Sequence, residues 1–307
     1  MARLGPFEIG CETHPGKVRE QNEDASILPP AAQSALGARG YLFAVADGMG
    51  GYGGGQEASQ VSLATLHEQF YGPESATLAD SIQRANMAVR RRSMQPDHDP
   101  RMGSTLVAAL FQGDALVVAH VGDSRAYLVR GGAIHQLTED HSLVQEQVRA
   151  GLMRPGEAGP VGGKNVITRS MGSKSVVDAE FTPVPGVQRG DTIVLCSDGL
   201  TNMVTDAEIA AAVSAQQPEP AARALVQLAN ERGGPDNITV QVIRVLSLPF
   251  TAQAPPASGI ARTLRMAAPR SRLRLVLVIA LLVVVIAGLV TLLALNAEPI
   301  VEMLASL

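Results

Sequence analysis

The first strong pattern in the chain is an apolar run, residues 42–46 (LFAVA), that ends on Asp47 and passes into a loop rich in glycine over 48–55 (GMGGYGGG). A short apolar run closed by glycine predicts a buried strand. Two later stretches share this form. Residues 192–196 (TIVLC) deliver Ser197, Asp198 and Gly199, and GGPDN at 233–237 precedes a strand predicted over 238–245. Residues 7–13 and 25–28 predict short strands, and 104–111 and 115–121 alternate as a pair. Gly122-Asp123-Ser124 interrupts, and 125–129 resumes as a strand into an Arg130-Gly131-Gly132 hairpin turn, which sets Asp123 in a hairpin of its own. Residues 56–70 and 78–94 carry apolar positions at helical spacing, the second with Ile82, Ala85, Met87 and Val89 inward. Ser142 opens a short helix that Gly151 ends. Two more helices are predicted over 206–215 and 220–231, with Thr205 and Glu208 forming a capping box for the first. Elements arrive in blocks, not in strict βαβ alternation, which predicts an antiparallel α+β domain over residues 1–246.

Beyond it the pattern dissolves. Residues 247–274 are rich in Pro, Ala and Arg and read as a linker. Residues 275–295 are then 21 consecutive positions without a charge and with only Thr291 polar, the length of a membrane-spanning helix. Five arginines (262, 265, 270, 272 and 274) crowd its N-terminal flank, and no Lys or Arg follows it. The expected topology is a single-pass protein of the inner or plasma membrane, with the domain cytoplasmic and residues 296–307 as a short tail outside. No secretory signal is expected in the first ten residues, which are too mixed.

Charge sharpens the picture. Of 25 Lys and Arg, the five above are the only ones beyond residue 246, and of 29 Asp and Glu only Glu298 and Glu302 lie there. Residues 1–246 therefore carry a net charge of −7. An acidic domain of this kind argues against a nucleic-acid partner and suits a site that concentrates cations. Cys11 and Cys196 have no metal-ligand spacing and are expected as reduced, buried thiols. With no Trp and few aromatic residues the core is expected to be aliphatic.

An Asp-Gly pair alone is most often a turn. Gly48, Gly50 and Gly53 also satisfy GxGxxG, but Asp47 would set a negative charge beside a pyrophosphate, and no strand ending in an acid follows the next helix. A P-loop is excluded because no Gly-Lys-Ser/Thr follows. Asp47, Asp198 and Asp236 beside strand ends instead suggest one carboxylate cluster for a hard cation. Without grouped His or Cys, such a cluster selects Mg²⁺ or Mn²⁺ over Zn²⁺. Two such ions sharing a carboxylate can activate a bridging water for attack on phosphorus, and an Arg would hold the phosphate through its fork. Residue types alone thus lead to a metal-assisted hydrolase of phosphate esters and leave the ester open.

Read together, the motifs resemble the metal-dependent protein phosphatases of the PPM family, type 2C, in bacterial form. GKVREQNED (16–24), VADGMGG (45–51), MGSTLVAAL (102–110), VGDSRAYLVR (121–130), LTEDHS (137–142), NVITRSMG (165–172), LCSDGLTNMV (195–204) and GGPDNITVQVI (233–243) follow in family order. The resemblance implies a four-layer αββα fold, two packed antiparallel sheets forming a β-sandwich flanked by helices, with a flap at about 141–173. It implies that Arg19 binds the phosphate and that Asp47 is shared by two core ions, Mn²⁺ or Mg²⁺. Gly48 would add a carbonyl ligand, Asp198 and Asp236 would complete the core, and Asn237 would support it. Glu23 and Asp24 would hold metal-bound waters, and Asp123 would serve a third, weaker ion. Two departures stand out. Met49 occupies the place of the His taken as general acid in the eukaryotic pattern, and Val161-Gly162-Gly163-Lys164 replaces the usual His-Pro of the flap. The implied activity is hydrolysis of phosphoserine and phosphothreonine on proteins, opposite a bacterial Ser/Thr kinase. The rival readings are a phosphatase for small phosphate esters and an inactive regulatory module.

Overall fold

The computed structural model describes residues 2–31, 36, 39–51, 53–74, 76–154 and 166–250. The linker, the apolar segment 275–295, the tail and the flap's Val161–Lys164 departure lie outside these residues. Among the described residues no helix is long and apolar enough to cross a membrane.

The strands are β1 (Ala2–Leu4), β2 (Phe7–His14), β3 (Asp24–Ile27), β4 (Tyr41–Met49), β5 (Gly103–Ser104), β6 (Leu106–Gln112), β7 (Ala115–Val121), β8 (Arg125–Arg130), β9 (Ala133–Gln136), β10 (Glu180–Val184), β11 (Thr192–Cys196) and β12 (Ile238–Val245). They form two antiparallel sheets, one ordered β1-β2-β12-β11-β8-β9 and the other β10-β7-β6-β4-β3, with β5 paired to the end of β4. The helices are α1 (Gly54–Tyr71), α2 (Leu78–Ser93), α3 (Leu143–Arg149), α4 (Asp198–Thr201), α5 (Asp206–Ala215) and α6 (Pro218–Glu231).

Alternation along the strands makes the layers. On β4, Phe43 and Val45 enter the core between the sheets, while Leu42, Ala44 and Ala46 pack with Leu63, Leu66 and Ile82 of α1 and α2. On β11, Ile193 and Leu195 face the same central core, and Val194 and Cys196 pack with Ile209, Val213 and Leu225 of α5 and α6. The order is helices, sheet, sheet, helices, the fold expected.

Several details differ from the sequence reading. The core is not purely aliphatic: Phe7 packs against Tyr41, Phe43, Phe111 and Phe250 at ring separations of 4.6–5.5 Å, which gathers five aromatic side chains between the sheets. Strand β4 runs on through Asp47 to Met49 because Gly48 and Met49 pair with Ser104 and Gly103. Gly54 and Gly55 belong to α1 and not to the loop. Helix α6 begins at Pro218, which needs no N–H in the first turn. On α2, Met87 is only half-buried and Asn86 takes the inward place, accepting from Gly172 N–H at 2.7 Å and donating to Lys174 O at 3.0 Å. Among the described residues strand β10, with Pro183, pairs only with β7 and stands at a sheet edge, where a missing N–H is tolerated. Both cysteines are free, Cys196 buried and Cys11 only partly so. Residues 122–124 are not a hairpin: β7 and β8 belong to different sheets, so Asp123 lies on the crossover between them.

Candidate metal centre

Parity along β4 carries Asp47 to the face of Phe43 and Val45, into the gap between the sheets. Across the β3–β4 pair, Asp24 stands in register with Asp47 and so shares that face. On the opposite sheet Ser197 continues the inward parity of Ile193 and Leu195 beyond β11, and its hydroxyl donates to Asp24 Oδ2 at 2.7 Å. Asp198 follows at the first position of α4, where Asn202 Nδ2 donates to its Oδ2 at 3.0 Å. The predicted carboxylates thus meet at one end of the sandwich.

Their electrostatics record the crowding. Asp47 is held well above the usual carboxylate range, first by burial and then by the charges of Asp24, Asp198, Asp123 and Asp236. Burial, then Asp198 and Asp236, push Asp24 up to about 7 against the help of Ser197 and Thr239. Asp123 is likewise pushed to about 7, by burial and then by Asp198 and Asp140. Asp198 is raised by burial and by Asp236, while a contact with Asp47 lowers it. Carboxylates left together out of water are costly unless a cation compensates them.

Backbone and loops fix the remaining groups. Gly48 N–H donates to Glu23 O at 3.1 Å, and a Cβ on Gly48 would lie 2.0 Å from Gly55 O, so only glycine fits where strand, loop and helix start converge. The Glu23 carboxylate accepts from the N–H groups of Gly55 and Gln56 at the start of α1, although burial raises it overall. Arg19 reaches Asp236 Oδ2 through Nη2 at 2.9 Å. Asn237 is buried and spends its amide on the opening loop: Oδ1 accepts from Glu23 N–H at 2.8 Å, and Nδ2 donates to Pro15 O and Gln21 O, each at 2.9 Å. Met49 sits half-buried at the end of β4 and offers no proton.

Reading the motifs singly missed the groups that hold these carboxylates. Thr105 N–H donates to Asp47 O at 2.8 Å, and Thr105 Oγ1 accepts from Asp47 N–H at 2.9 Å. The same hydroxyl lies 2.7 Å from Ser124 Oγ, beside Asp123. Only the Ser-Thr pair inside MGSTLVAAL signals this, and its partners are remote in sequence.

The donor set fits a hard divalent cation. It consists of carboxylate and carbonyl oxygens, and two buried oxygens, Asp24 Oδ1 and Asp198 Oδ1, have no hydrogen-bond partner. A separate group, His120, His141 and Glu180, has ligand atoms within 4.8 Å of one another, but it lies outside this set.

Comparison with known proteins agrees with the geometry. Residues 12–238 match the family Protein phosphatase 2C. The chain is 36% identical over 249 residues to the serine/threonine protein phosphatase PstP of Mycobacterium tuberculosis, covering 80% of this chain and 46% of PstP, so it spans about half of that relative. It is 34% identical to the serine/threonine phosphatase stp of Listeria monocytogenes, covering 75% of this chain and 93% of the relative. Among solved structures, the S. agalactiae serine/threonine phosphatase superposes with a TM-score of 0.71 at 35% identity, over 78% of this chain and 99% of that one. A PstP catalytic domain in complex with two manganese ions superposes at 0.64 with 33% identity, over 78% and 99% of the two chains.

Proposed function

The chain belongs to the protein phosphatase 2C family, and on that premise we propose that it is a metal-dependent protein serine/threonine phosphatase. The observation that carries the reading is the convergence of Asp24, Asp47, Asp123 and Asp198, each raised by burial and by neighbouring carboxylates, beside Asp236, with two buried oxygens left unpartnered. Asp47, Asp198, Asp236 and the Gly48 carbonyl would hold two core ions, with Glu23 and Asp24 behind them and Asp123 serving a third. When bound, Mn²⁺ or Mg²⁺ supplies Lewis-acid polarisation of the phosphoryl group and a water acidic enough to attack it. Arg19 stands half-exposed with Nη2 on Asp236, and its guanidinium would engage a phosphate there, while Asn237 keeps its loop in place. Met49 leaves protonation of the departing Ser or Thr oxygen to water or another group.

The substrates in this reading are phosphorylated proteins, with a membrane Ser/Thr kinase as the opposing enzyme. The domain, residues 1–246, works in the cytoplasm, tethered through 247–274 to a helix over 275–295, with 296–307 outside. The test is hydrolysis of a phosphothreonine peptide by the chain with Mn²⁺, then with a chelator. Turnover abolished by the chelator and exceeding that of small phosphate esters is expected. Absence of hydrolysis with Mn²⁺ would identify an inactive module instead.

A further inference from the structure

The cluster His120, His141 and Glu180 is absorbed by nothing above. Its spacing suits a metal, but two observations turn it to another use. Arg169 Nη1 already stands 2.9 Å from Glu180 Oε1 and 3.3 Å from His141 Nε2, so a fixed cation fills the place. The lone pair of His141 Nδ1 is also committed, because Gly122 N–H donates to it at 3.1 Å. A neutral ring accepting at Nδ1 carries its proton on Nε2, which faces Glu180 Oε1 at 3.2 Å. His120 stacks on the ring at 4.6 Å and anchors its own Nε2 on Glu139 O at 2.8 Å. Burial, then His120 and Arg169, push His141 down to about 4, so it stays neutral and keeps the acceptor.

The second link is the backbone. His141 N–H donates to Gly122 O at 3.0 Å, so both polar groups of Gly122 are bound by one residue. Gly122 has φ +101, and a Cβ there would lie 2.7 Å from Thr105 Cγ2. Thr105 holds Ser124 through its hydroxyl and Asp47 through two hydrogen bonds, one to the same hydroxyl and one from its own N–H. Asp123 therefore sits between two clamped residues, Gly122 on the His141 side and Ser124 on the Thr105 side. His141 also opens the flap, and Thr168 N–H, at the flap's return, donates to His141 O at 2.8 Å.

We propose that His141 is a positioning residue that holds Asp123 in its ligating place by clamping Gly122, and that it ties this crossover to the base of the flap. The inference rests on the reading of Asp123 as ligand to a third, weakly held cation. Residues that orient metal ligands typically contribute about 10–100-fold in metal affinity.

The test compares Asp123→Asn, His141→Leu, His141→Asn and the Asp123→Asn/His141→Leu double variant in the full chain. Mn²⁺ binding is followed by calorimetry, and turnover of a phosphothreonine peptide as a function of Mn²⁺. His141→Leu is expected to weaken the weak Mn²⁺ about tenfold, as loss of an orienting residue does, with both tight ions and KM retained. His141→Asn, whose Oδ1 can accept from Gly122 N–H, should recover most of that loss. The double variant should be no worse than Asp123→Asn alone, because the two residues act as a unit. Multiplied effects in the double variant, or His141→Asn as impaired as His141→Leu, would overturn the clamp while leaving Asp123 as ligand. If Asp123→Asn leaves weak Mn²⁺ binding intact, the reading of Asp123 fails and the proposal falls with it.

Discussion

Asp24 and Asp47 stand directly opposite each other in register on two paired strands, facing the same side. Like charges so placed destabilise a strand pair. Asp24 is buried, receives one hydrogen bond from Ser197 and leaves Oδ1 unpartnered. The pair makes chemical sense as part of a cation site, and its strain should be visible once cations are removed.

That gives a pH-dependent prediction. Burial raises the folded pKa of Asp24 to about 7 from an ordinary 3.8, so the native state binds the proton more tightly than the unfolded chain. Stability attributable to this group therefore falls as pH rises from about 4 to about 7, and the full penalty is present above 7. Asp24→Asn removes it. In chelator-treated protein the variant should melt higher than the parent at pH 8, with the advantage shrinking as pH falls through 7 and gone near pH 4. An equal difference at both ends of the range would show that the Asp24 charge is not the cause.

Arg19 donates to Asp236 across the mouth of the site, and the pair is exposed enough to contribute little to stability. Arg19→Ala should raise KM for a phosphopeptide about tenfold or more, the effect of losing a charge-assisted hydrogen bond of roughly 1.5–3 kcal/mol. Tight Mn²⁺ binding should change little. Arg19→Lys should recover only part, since an ammonium lacks the fork. Equal loss of metal and substrate binding would make Arg19 structural.

Asn237 ties the loop that carries Arg19 and Glu23 to the start of β12. Asn237→Ala leaves the Glu23 N–H unpaired and should lower stability by about 1–3 kcal/mol. Amide exchange should accelerate across residues 15–23 while α5 and α6 keep their protection. Acceleration spread evenly over the domain would assign Asn237 to the global fold instead.

The proposed topology predicts that a reporter fused after Leu307 is active only outside the cytoplasm. The domain should be released by cleavage within 247–274 and protected from protease in intact cells. A reporter active in the cytoplasm would refute the orientation.

How much of this was legible in the sequence depends on the range of the cause. Strands β11 and β12 and helix α5 lie where local pattern placed them, and the Thr205–Glu208 capping box is present as read. The three aspartates beside strand ends do converge, because strand parity and glycine-bounded exits are local properties. Causes set by distant partners were missed. The extension of β4 through Asp47 depends on Ser104 and Gly103, and the inward Asn86 depends on residues 172–174. The change of sheet at Asp123 has no local signature at all, since β7 and β8 read as two strands around a turn. The grip of Thr105 on Asp47, and of His141 on Gly122, spans 58 and 19 residues and appears only once the sheets are assembled. The apolar pattern over 275–295 remains a property of the sequence, outside the described residues.

The central claim is that the Asp47, Asp198 and Asp236 cluster holds the two ions that hydrolysis requires. Calorimetric Mn²⁺ stoichiometry measured alongside phosphopeptide turnover in Asp198→Asn tests it most directly. Asp198 is raised by burial and by Asp236, and its Oδ1 has no partner, so losing its charge should weaken the site, whose affinity depends on ligand charge. Turnover at background together with fewer than two tightly bound ions per chain is expected, and the same from Asp47→Asn and Asp236→Asn. Full turnover with two tight ions retained in Asp198→Asn would contradict the account.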